Sequence, residues 1–343
     1  MRCNILIVGA GIAGSCLAYQ LFKKNVSYLQ ITDMDNPLNN TSAKSYGHSR
    51  IVDNPEELFE KSRKYLKCQV YEFFYYENSH LVKDFFKELK VPYEKKAFGI
   101  IPKGVARGGA TILKKIHSII PPITHDIFVK RVNRIKRGKG VKTKEKDNHD
   151  FFVITNKGRI YCKYVVFAIG GFGQFYYNSD AVTYKSPSIY NQFERRIINK
   201  KSFFVHPFGI NKGKDVLIGT QTMNGKFVDE ENNHFFPEDI TIKLKNNDYH
   251  EIFPRIVSEM KNRRCYFVRK GSCKKIKVEP VVHYTSGGFK TNRYNRIIGE
   301  KNIFSIGECQ ADGSKNGGRL PGMPFTKSIV SAYILANYLY SIQ

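Results

Sequence analysis

The C-terminal part of the sequence concentrates side chains that can do chemistry in short motifs rich in glycine. The motifs are HYTSGG at 283–288, IGE at 306–308 and NGGRLPG at 316–322. They supply an imidazole at His283, a carboxylate at Glu308 and a guanidinium at Arg319. An imidazole can transfer a proton or donate a hydrogen bond, and a guanidinium holds planar anions with its fork of N–H groups. Arg319 follows two glycines and shortly precedes Pro324 at a predicted helix start, so helix propensity does not explain its presence.

The elements that must position these groups begin with a glycine turn near the N-terminus. Residues 3–8 (CNILIV) predict a short apolar strand, and residues 15–23 predict a helix. Between them, Gly9 permits a tight turn, Gly11 lets the backbone approach a pyrophosphate, and Gly14 lets the helix pack closely on the strand. A second predicted strand at 28–32 ends at Asp33, whose carboxylate can accept a ribose hydroxyl. The series predicts a dinucleotide site.

Two further strands are expected to reach the same ligand. The segment VVFAIGGFG at 165–173 is an apolar strand that breaks into a turn at Gly170 and Gly171. The segment IFSIGE at 303–308 is a strand that ends at Glu308, which can hydrogen-bond a second ribose or a ribityl chain. Taken alone, either segment could be any strand that ends in a loop.

The rest of the chain alternates between helical and strand-forming patterns. The other predicted elements are a helix over 55–89, a helix that follows RGGA at 107–110 and ends at 119, and strands at 127–132, 151–155 and 161–169. Residues 34–49 are polar and predict a loop. The segment 177–264 has the least regular pattern and is interpreted as part of an inserted domain. A final amphipathic helix is predicted at 324–340.

Composition limits the class of protein and of partner. The chain has 343 residues, and its 56 Lys and Arg against 30 Asp and Glu give a net charge of +26, which favours nucleic acid, acidic membrane surfaces or carboxylates as partners. The basic run at 130–146 is interpreted as a solvated β-hairpin rather than a nucleic-acid arm. Seven cysteines without a CxxC pair favour reduced thiols and no metal site. Because no signal peptide or membrane-spanning window is found, a cytoplasmic protein is expected.

An ordered series of motifs makes the sequence resemble the flavoprotein superfamily of succinate dehydrogenase, fumarate reductase and L-aspartate oxidase. The motifs are GAGIAG at 9–14, VVFAIGGFG at 165–173, VHPFG at 205–209, HYTSGG at 283–288, IGE at 306–308 and NGGRLPG at 316–322. The resemblance implies a FAD-dependent oxidoreductase that transfers a hydride between flavin N5 and a small carboxylate. It also implies that His206, His283 and Arg319 bind the substrate carboxylates.

The resemblance further implies a domain division and additional cofactor contacts. We expect an α/β fold with a Rossmann-type FAD-binding domain at 1–176 and 274–343 and a smaller capping domain, facing the substrate, inserted at 177–273. The loop at 40–48, with Ser42 and Gly47, corresponds to the stretch beside the isoalloxazine, and Met323 is counted with the cofactor-binding positions. The histidine that carries FAD covalently in respiratory members has no clear counterpart, Thr41 being the nearest position, so non-covalent FAD is expected.

Departures from the family pattern affect the expected chemistry. The family's catalytic arginine helix, R-D-x-x-x-R, aligns with HEIFPR at 250–255, so either His250 transfers the proton, or Arg255 does, or the usual chemistry is absent. The Thr of the family's HPT motif is replaced by Phe208. The sequence ends about where the family's flavin domain ends, so the helical domain of many members is not expected.

These observations favour an L-aspartate oxidase-like enzyme, because neither membrane nor covalent-flavin features are found. A succinate dehydrogenase or fumarate reductase-like flavoprotein is the first alternative. The second is a flavin-binding protein with a degenerate active site that binds an acidic partner or nucleic acid, and the third is a flavoenzyme that modifies RNA. Besides the small carboxylate, an electron acceptor or a partner subunit is expected, whereas nucleic acid is not the expected partner.

Overall fold

The structure is a computed structural model. It describes residues 1–66, 70–96, 99–135, 149–176, 178–182, 187–212, 215–218, 225–245, 253–312 and 320–343. The helices found there are α1 Ile12–Lys23, α2 Thr41–Lys44, α3 Pro55–Leu66, α4 Val70–Glu77, α5 Leu81–Glu88, α6 Gly108–His117, α7 Ser188–Gln192, α8 Glu238–Lys245, α9 Phe253–Glu259 and α10 Met323–Ser341. The strands are β1 Arg2–Val8, β2 Tyr28–Ile31, β3 Ser49–Arg50, β4 Tyr93–Lys96, β5 Gly99–Pro102, β6 Val129–Arg134, β7 Phe151–Thr155, β8 Gly158–Phe167, β9 Ile197–Ile198, β10 Phe203–Lys212, β11 Asp215–Ile218, β12 Gly225–Val228, β13 Cys265–Arg269, β14 Lys275–Thr285, β15 Gly288–Phe289 and β16 Ile303–Ser305.

The first of two compact units comprises residues 1–172, 182–202 and 286–343. Its main sheet has the strand order β2-β1-β8-β7-β6, with β16 paired to the second half of β8. β1 is parallel to both β2 and β8, and β8 is parallel to β16. The carboxyl ends of these four strands therefore meet at one edge of the sheet. The prediction that 165–169 and 303–308 add strands to the same sheet as 3–8 is confirmed.

The core of this unit lies between the sheet and the helices α1, α5, α6 and α10. The apolar run ILIV at 5–8 is buried, as expected for a strand covered on both faces. Ile5 and Ile7 belong to one hydrophobic cluster with Leu17 of α1 and with Ile329 and Leu335 of α10. None of the helices in the described ranges combines the length and apolarity needed to cross a membrane.

Several element boundaries differ from those predicted. The helix predicted at 15–23 begins at Ile12, because Gly14 lies within its first turn rather than before it. The predicted loop at 34–49 contains the short helix α2. The helical stretch predicted at 55–89 contains α3, α4 and α5, with a 3-10 turn at Asn78–His80 before α5. For the predicted basic hairpin, β6 and β7 do pair antiparallel, but residues 136–148 lie outside the described ranges.

The second unit comprises residues 173–181 and 203–285. Its antiparallel sheet has the order β11-β10-β14-β13-β12. Helices α8 and α9 contribute Ile240 and Ile256 to a hydrophobic cluster that also contains Phe208 of β10 and Phe267 of β13. β14 pairs with both β10 and β13, so His283 lies in this unit, although the sequence division placed residues 274–343 in the FAD-binding domain.

The segment 177–264, which has the least regular sequence pattern, contains α7 to α9 and β9 to β12 in its described parts, and β10 shows why the pattern is irregular. Its pairing with β14 shifts register between Phe204 and Val205 and again between His206 and Gly209. The second irregularity contains Pro207, which has no N–H for the ladder. Such breaks interrupt the alternation of side chains by which a strand is recognised in a sequence.

Candidate functional site

The glycine turn between β1 and α1 has no room for side chains. Gly9 has a φ of +118°, and a Cβ there would overlap the carbonyl oxygen of Ala168. A Cβ on Gly14 would overlap the carbonyl oxygen of Gly9. The Gly9 amide donates to the Ile31 carbonyl over 2.8 Å, which ties the turn to β2. Backbone therefore lines the start of α1, as a pyrophosphate-binding turn requires.

Gly11 and Ser42, both predicted as cofactor ligands, lie together at the amino end of α1. The Ile12 amide donates to Ser42 Oγ over 3.1 Å, and a Cβ on Gly11 would lie 3.2 Å from that oxygen. Ser42 thus satisfies one of the amides that a helix start leaves without an intrahelical partner.

Asn40 joins the same loop to the glycine turn and was not identified from the sequence. Its Oδ1 accepts from the Ala43 amide over 2.9 Å, which caps α2, and its Nδ2 donates to the Ala10 carbonyl over 3.3 Å. Its side chain is buried. An asparagine before Thr-Ser-Ala is an N-cap signal that could have revealed the first contact, whereas the second joins distant segments and leaves no local signal.

The predicted ribose ligands follow strands that end at the same edge of the sheet. Asp33 lies two residues after β2 and is buried, and Glu308 is half-buried in a 3-10 turn directly after β16. Gly307 has a φ of +72°, and a Cβ there would lie 2.6 Å from the Ala13 Cβ, so this turn packs against the first turn of α1. Gly170 and Gly171 follow β8 at this edge, and the carbonyl of Gly170 accepts from the Tyr190 hydroxyl.

The loop at 40–48 lies directly on the start of α6. Gly47 has a φ of +69°, and Cβ atoms on Gly108 and Gly109 would overlap the carbonyl oxygens of Tyr46 and Ser42. The Gly109 amide donates to the Ser45 carbonyl over 3.1 Å. The glycine pair, predicted only as a turn, therefore lets the helix support the predicted isoalloxazine loop.

The far end of α6 supports the glycine turn through a half-buried histidine. Ser15 Oγ donates to the Ala10 carbonyl over 3.1 Å, and His117 Nε2 lies 3.0 Å from that hydroxyl oxygen. Because the hydroxyl proton is used on Ala10, this network assigns a proton to His117 Nε2. Burial lowers the pKa of His117 to about 4, so the ring is neutral at pH 7. No sequence motif marks His117.

Met323 begins α10 beside β3. The Arg50 amide donates to the Gly322 carbonyl over 3.3 Å, and its Nε donates to the Pro321 carbonyl over 3.0 Å. Arg50 is buried, and this burial lowers the pKa of its guanidinium. These contacts fix the end of the NGGRLPG motif, whereas Arg319 itself lies outside the described residues.

In the second unit, the structure brings His206 and His283 together on the neighbouring strands β10 and β14. Their ring centroids are 5.9 Å apart, with an angle of 78° between the ring planes. His206 is buried, and its Nδ1 accepts from the Phe208 amide over 3.2 Å. His283 Nδ1 lies 2.6 Å from Oδ2 of Asp180. The sequence offered no signal for Asp180, which is 103 residues away from His283 along the chain.

The predicted proton-transfer residues are placed differently. Arg255 lies on α9, and its side chain is 53% exposed and paired with Asp239. His250 lies outside the described residues. Among the described parts of the second unit, Asp180 and His283 make a carboxylate–imidazole contact, whereas Arg255 pairs with Asp239.

The sheet and the glycine turn define an α/β protein with the architecture of dinucleotide-binding folds. Solved structures with a similar fold are known. The chain matches FrdA of E. coli quinol fumarate reductase with a TM-score of 0.73 and 16% identity, over 99% of this chain and 70% of that one. It matches the open conformation of a flavocytochrome c3 fumarate reductase with a TM-score of 0.72 and 14% identity, over 99% and 78%. It also matches 3-ketosteroid Δ1-dehydrogenase from Sterolibacterium denitrificans with a TM-score of 0.68 and 11% identity, over 100% of both chains.

The likeness to these solved structures shows that the chain shares their fold. The predicted resemblance is therefore confirmed at the level of the fold. No protein-family model and no curated protein matches the sequence.

Proposed function

We propose that this protein is a FAD-dependent oxidoreductase that acts on a small carboxylate. The observation that carries the proposal is the adjacency of His206 and His283 on β10 and β14, in a chain with a flavoprotein fold. One imidazole can donate a hydrogen bond to a carboxylate oxygen, and a second imidazole beside it can exchange a proton with the bound substrate.

The described residues of the first unit fit FAD. The backbone-lined turn at Gly9 and the amino end of α1 suit a pyrophosphate, because a helix start favours negative charge. Asp33 would accept a ribose hydroxyl, and Glu308 would accept from a second ribose or the ribityl chain. The loop with Ser42 and Gly47 and the helix start at Met323 would contact the remaining flavin. FAD, when bound, supplies hydride transfer at N5.

The substrate-binding groups proposed for the second unit favour an anion. His206 accepts a backbone amide at Nδ1, so its neutral ring carries a proton on Nε2 that can be donated to a carboxylate oxygen. The net charge of +26 attracts anions at long range. By its resemblance to the family arginine, Arg319 would hold the substrate's second carboxylate bidentately.

Within this class we propose a small dicarboxylate. The sequence motifs favour L-aspartate oxidation, and the likeness to fumarate reductases supports the succinate and fumarate pair. The steroid dehydrogenases of the same fold are described with neutral steroids, which lack the carboxylate that a donating imidazole would bind. An electron acceptor, either small or carried by a partner subunit, would complete the turnover.

The test is the absorbance spectrum of the purified protein, followed by an anaerobic substrate panel. L-aspartate and succinate are expected to bleach the flavin band or, for a reductase, fumarate is expected to reoxidise reduced flavin, whereas 4-androstene-3,17-dione is expected to do neither. Reoxidation by air or by dyes then separates an oxidase from a dehydrogenase. Bound flavin that responds to the steroid and to no carboxylate would reject the proposal.

A matched pair of variants tests the role of His206 in substrate binding. His206→Asn is expected to raise KM by about 10-fold or more, because a hydrogen bond to a charged group contributes about 1.5 to 3 kcal/mol. His80→Asn removes an exposed histidine of the first unit and is expected to leave KM unchanged.

A further inference from the structure

We propose that His283 transfers the proton in this reaction and that Asp180 is its positioning residue. This inference rests on the proposed function, and it assigns proton transfer to a different group from the His250 and Arg255 suggested by the sequence.

The backbone places Asp180 firmly beside His283. Residues 178–180 run alongside β14: the Val282 amide donates to the Asn178 carbonyl over 2.9 Å, and the Asp180 amide donates to the Val282 carbonyl over 3.2 Å. The Ser179 hydroxyl also donates to the Val282 carbonyl, over 2.9 Å. Three hydrogen bonds to the residue before His283 therefore fix the position of the carboxylate relative to the ring.

The contact itself is short and sheltered from water. Asp180 Oδ2 lies 2.6 Å from His283 Nδ1, and the two side chains are 13% and 27% exposed. The other oxygen, Oδ1, is buried without a hydrogen-bond partner among the described residues. An acceptor at Nδ1 fixes a proton on that nitrogen, so Nε2 of the neutral ring is free to accept one.

The neighbouring imidazole is arranged in the opposite way. His206 Nδ1 accepts the Phe208 amide over 3.2 Å, so protonating this nitrogen would break a buried hydrogen bond. The carboxylate of Asp180 instead stabilises the imidazolium that forms when His283 takes a second proton. The two rings therefore differ at Nδ1: His283 faces a carboxylate oxygen there, whereas His206 accepts a backbone amide.

The location of Arg255 supports the same assignment. Its guanidinium is 53% exposed and paired with Asp239, and arginine remains protonated in proteins. In the oxidative direction, the substrate would lose a proton to Nε2 of His283 and a hydride, with its two electrons, to FAD. In the reductive direction, His283 would return the proton as the hydride is delivered. Protons and electrons balance in both directions.

The experiment combines kinetics with imidazole NMR on the full-length holoprotein. Asp180→Asn is expected to lower kcat by about 10²-fold or more with a small change in KM, the usual scale for general acid–base catalysis. In ¹⁵N spectra, neutral His283 is expected to carry its proton on Nδ1 in the wild type and on Nε2 in Asp180→Asn, because an amide can donate to Nδ1 where a carboxylate cannot. Adding Asp180→Asn to His283→Asn is expected to have no further effect on kcat.

Controls distinguish a failure of this inference from the misfolding of a variant and from a failure of the proposed function. Glu230→Gln removes an exposed pair with Arg264 in the same unit and is expected to keep wild-type kcat and spectra. Flavin content and circular dichroism establish that each variant is folded. An unchanged His283 tautomer in Asp180→Asn, or a raised KM with kcat preserved, would overturn the pair while leaving the proposed function intact. If the wild type turns over no carboxylate, the proposed function and the proton-transfer role both fall, even where the NMR shows the contact.

Discussion

His117 Nε2 lies 3.0 Å from Ser15 Oγ, and through this contact α6 supports the glycine turn. The opposite end of the same helix carries Gly108 and Gly109, which pack against the loop at 40–48. One helix therefore holds two of the segments that are proposed to bind FAD in the first unit. Disturbing either end should affect cofactor binding as well as stability.

The first prediction is that His117 makes the free energy of unfolding depend on pH. Burial lowers the pKa of His117 to about 4 from its ordinary value of 6.5. Between these pH values the unfolded chain binds a proton that the folded protein does not bind, so this residue makes the free energy of unfolding fall as the pH falls from 6.5 to about 4. Above 6.5 it should contribute no pH dependence. Urea unfolding at a series of pH values measures the effect.

His117→Gln is the informative variant, because its side-chain amide can still donate to Ser15 Oγ but does not titrate. We expect it to reduce the loss of stability in this acidic window. His80→Gln, at an exposed position, should keep the wild-type pH profile. Identical profiles for His117→Gln and the wild type would contradict the assignment.

The second prediction concerns the glycine turn. Gly14→Ala places a Cβ on the carbonyl oxygen of Gly9, so the turn must shift. We expect a loss of about 1 to 3 kcal/mol in the free energy of unfolding, as for other overpacked sites, and loss of bound flavin. Gly104→Ala is the control, because a Cβ there has no atom within 4 Å and the cost is confined to its φ of +72°. Gly14→Ala with a full complement of flavin would count against the site.

Local features of the sequence were the ones that could be predicted. The glycine turn, Asp33, Gly170 and Glu308 lie next to strands whose apolar runs are visible in the sequence, and these strands end at one edge of the sheet. The support given by His117 joins α6 to α1, and the partner of His283 comes from 103 residues away. Contacts of this kind depend on how elements pack and leave no mark on local spacing.

In the second unit, secondary structure was also difficult to predict from the sequence. Its strand β10 has two breaks in register, one of them at Pro207, so an alternating pattern could not be recognised there. The histidine motifs nevertheless singled out His206 and His283, which lie on neighbouring strands, because such motifs depend on residue identity rather than on periodicity. Their roles as substrate ligands stay predictions. For His250 and Arg319, which lie outside the described residues, the sequence-based roles stay predictions.

The third prediction is that the flavin dissociates. Thr41, the nearest counterpart of the family's flavin-linked histidine, has no ring nitrogen to attach FAD, and its hydroxyl accepts from the Val182 amide over 3.0 Å. Acid precipitation of the purified protein should therefore leave the yellow chromophore in the supernatant. Flavin absorbance that remains with the washed pellet would contradict a non-covalent cofactor.

The fourth prediction separates the two roles of Asn40. Asn40→Ala removes the α2 cap and the donor to the Ala10 carbonyl, and we expect it to cost about 0.5 to 2 kcal/mol of unfolding free energy and to weaken FAD binding. Asn40→Asp keeps a cap acceptor but loses the donor to Ala10. If the donor holds the loop against the glycine turn, Asn40→Asp should bind FAD as weakly as Asn40→Ala does, in a titration followed by flavin fluorescence. Wild-type affinity in Asn40→Asp would limit Asn40 to capping, because the cap would then account for the whole effect of the alanine variant.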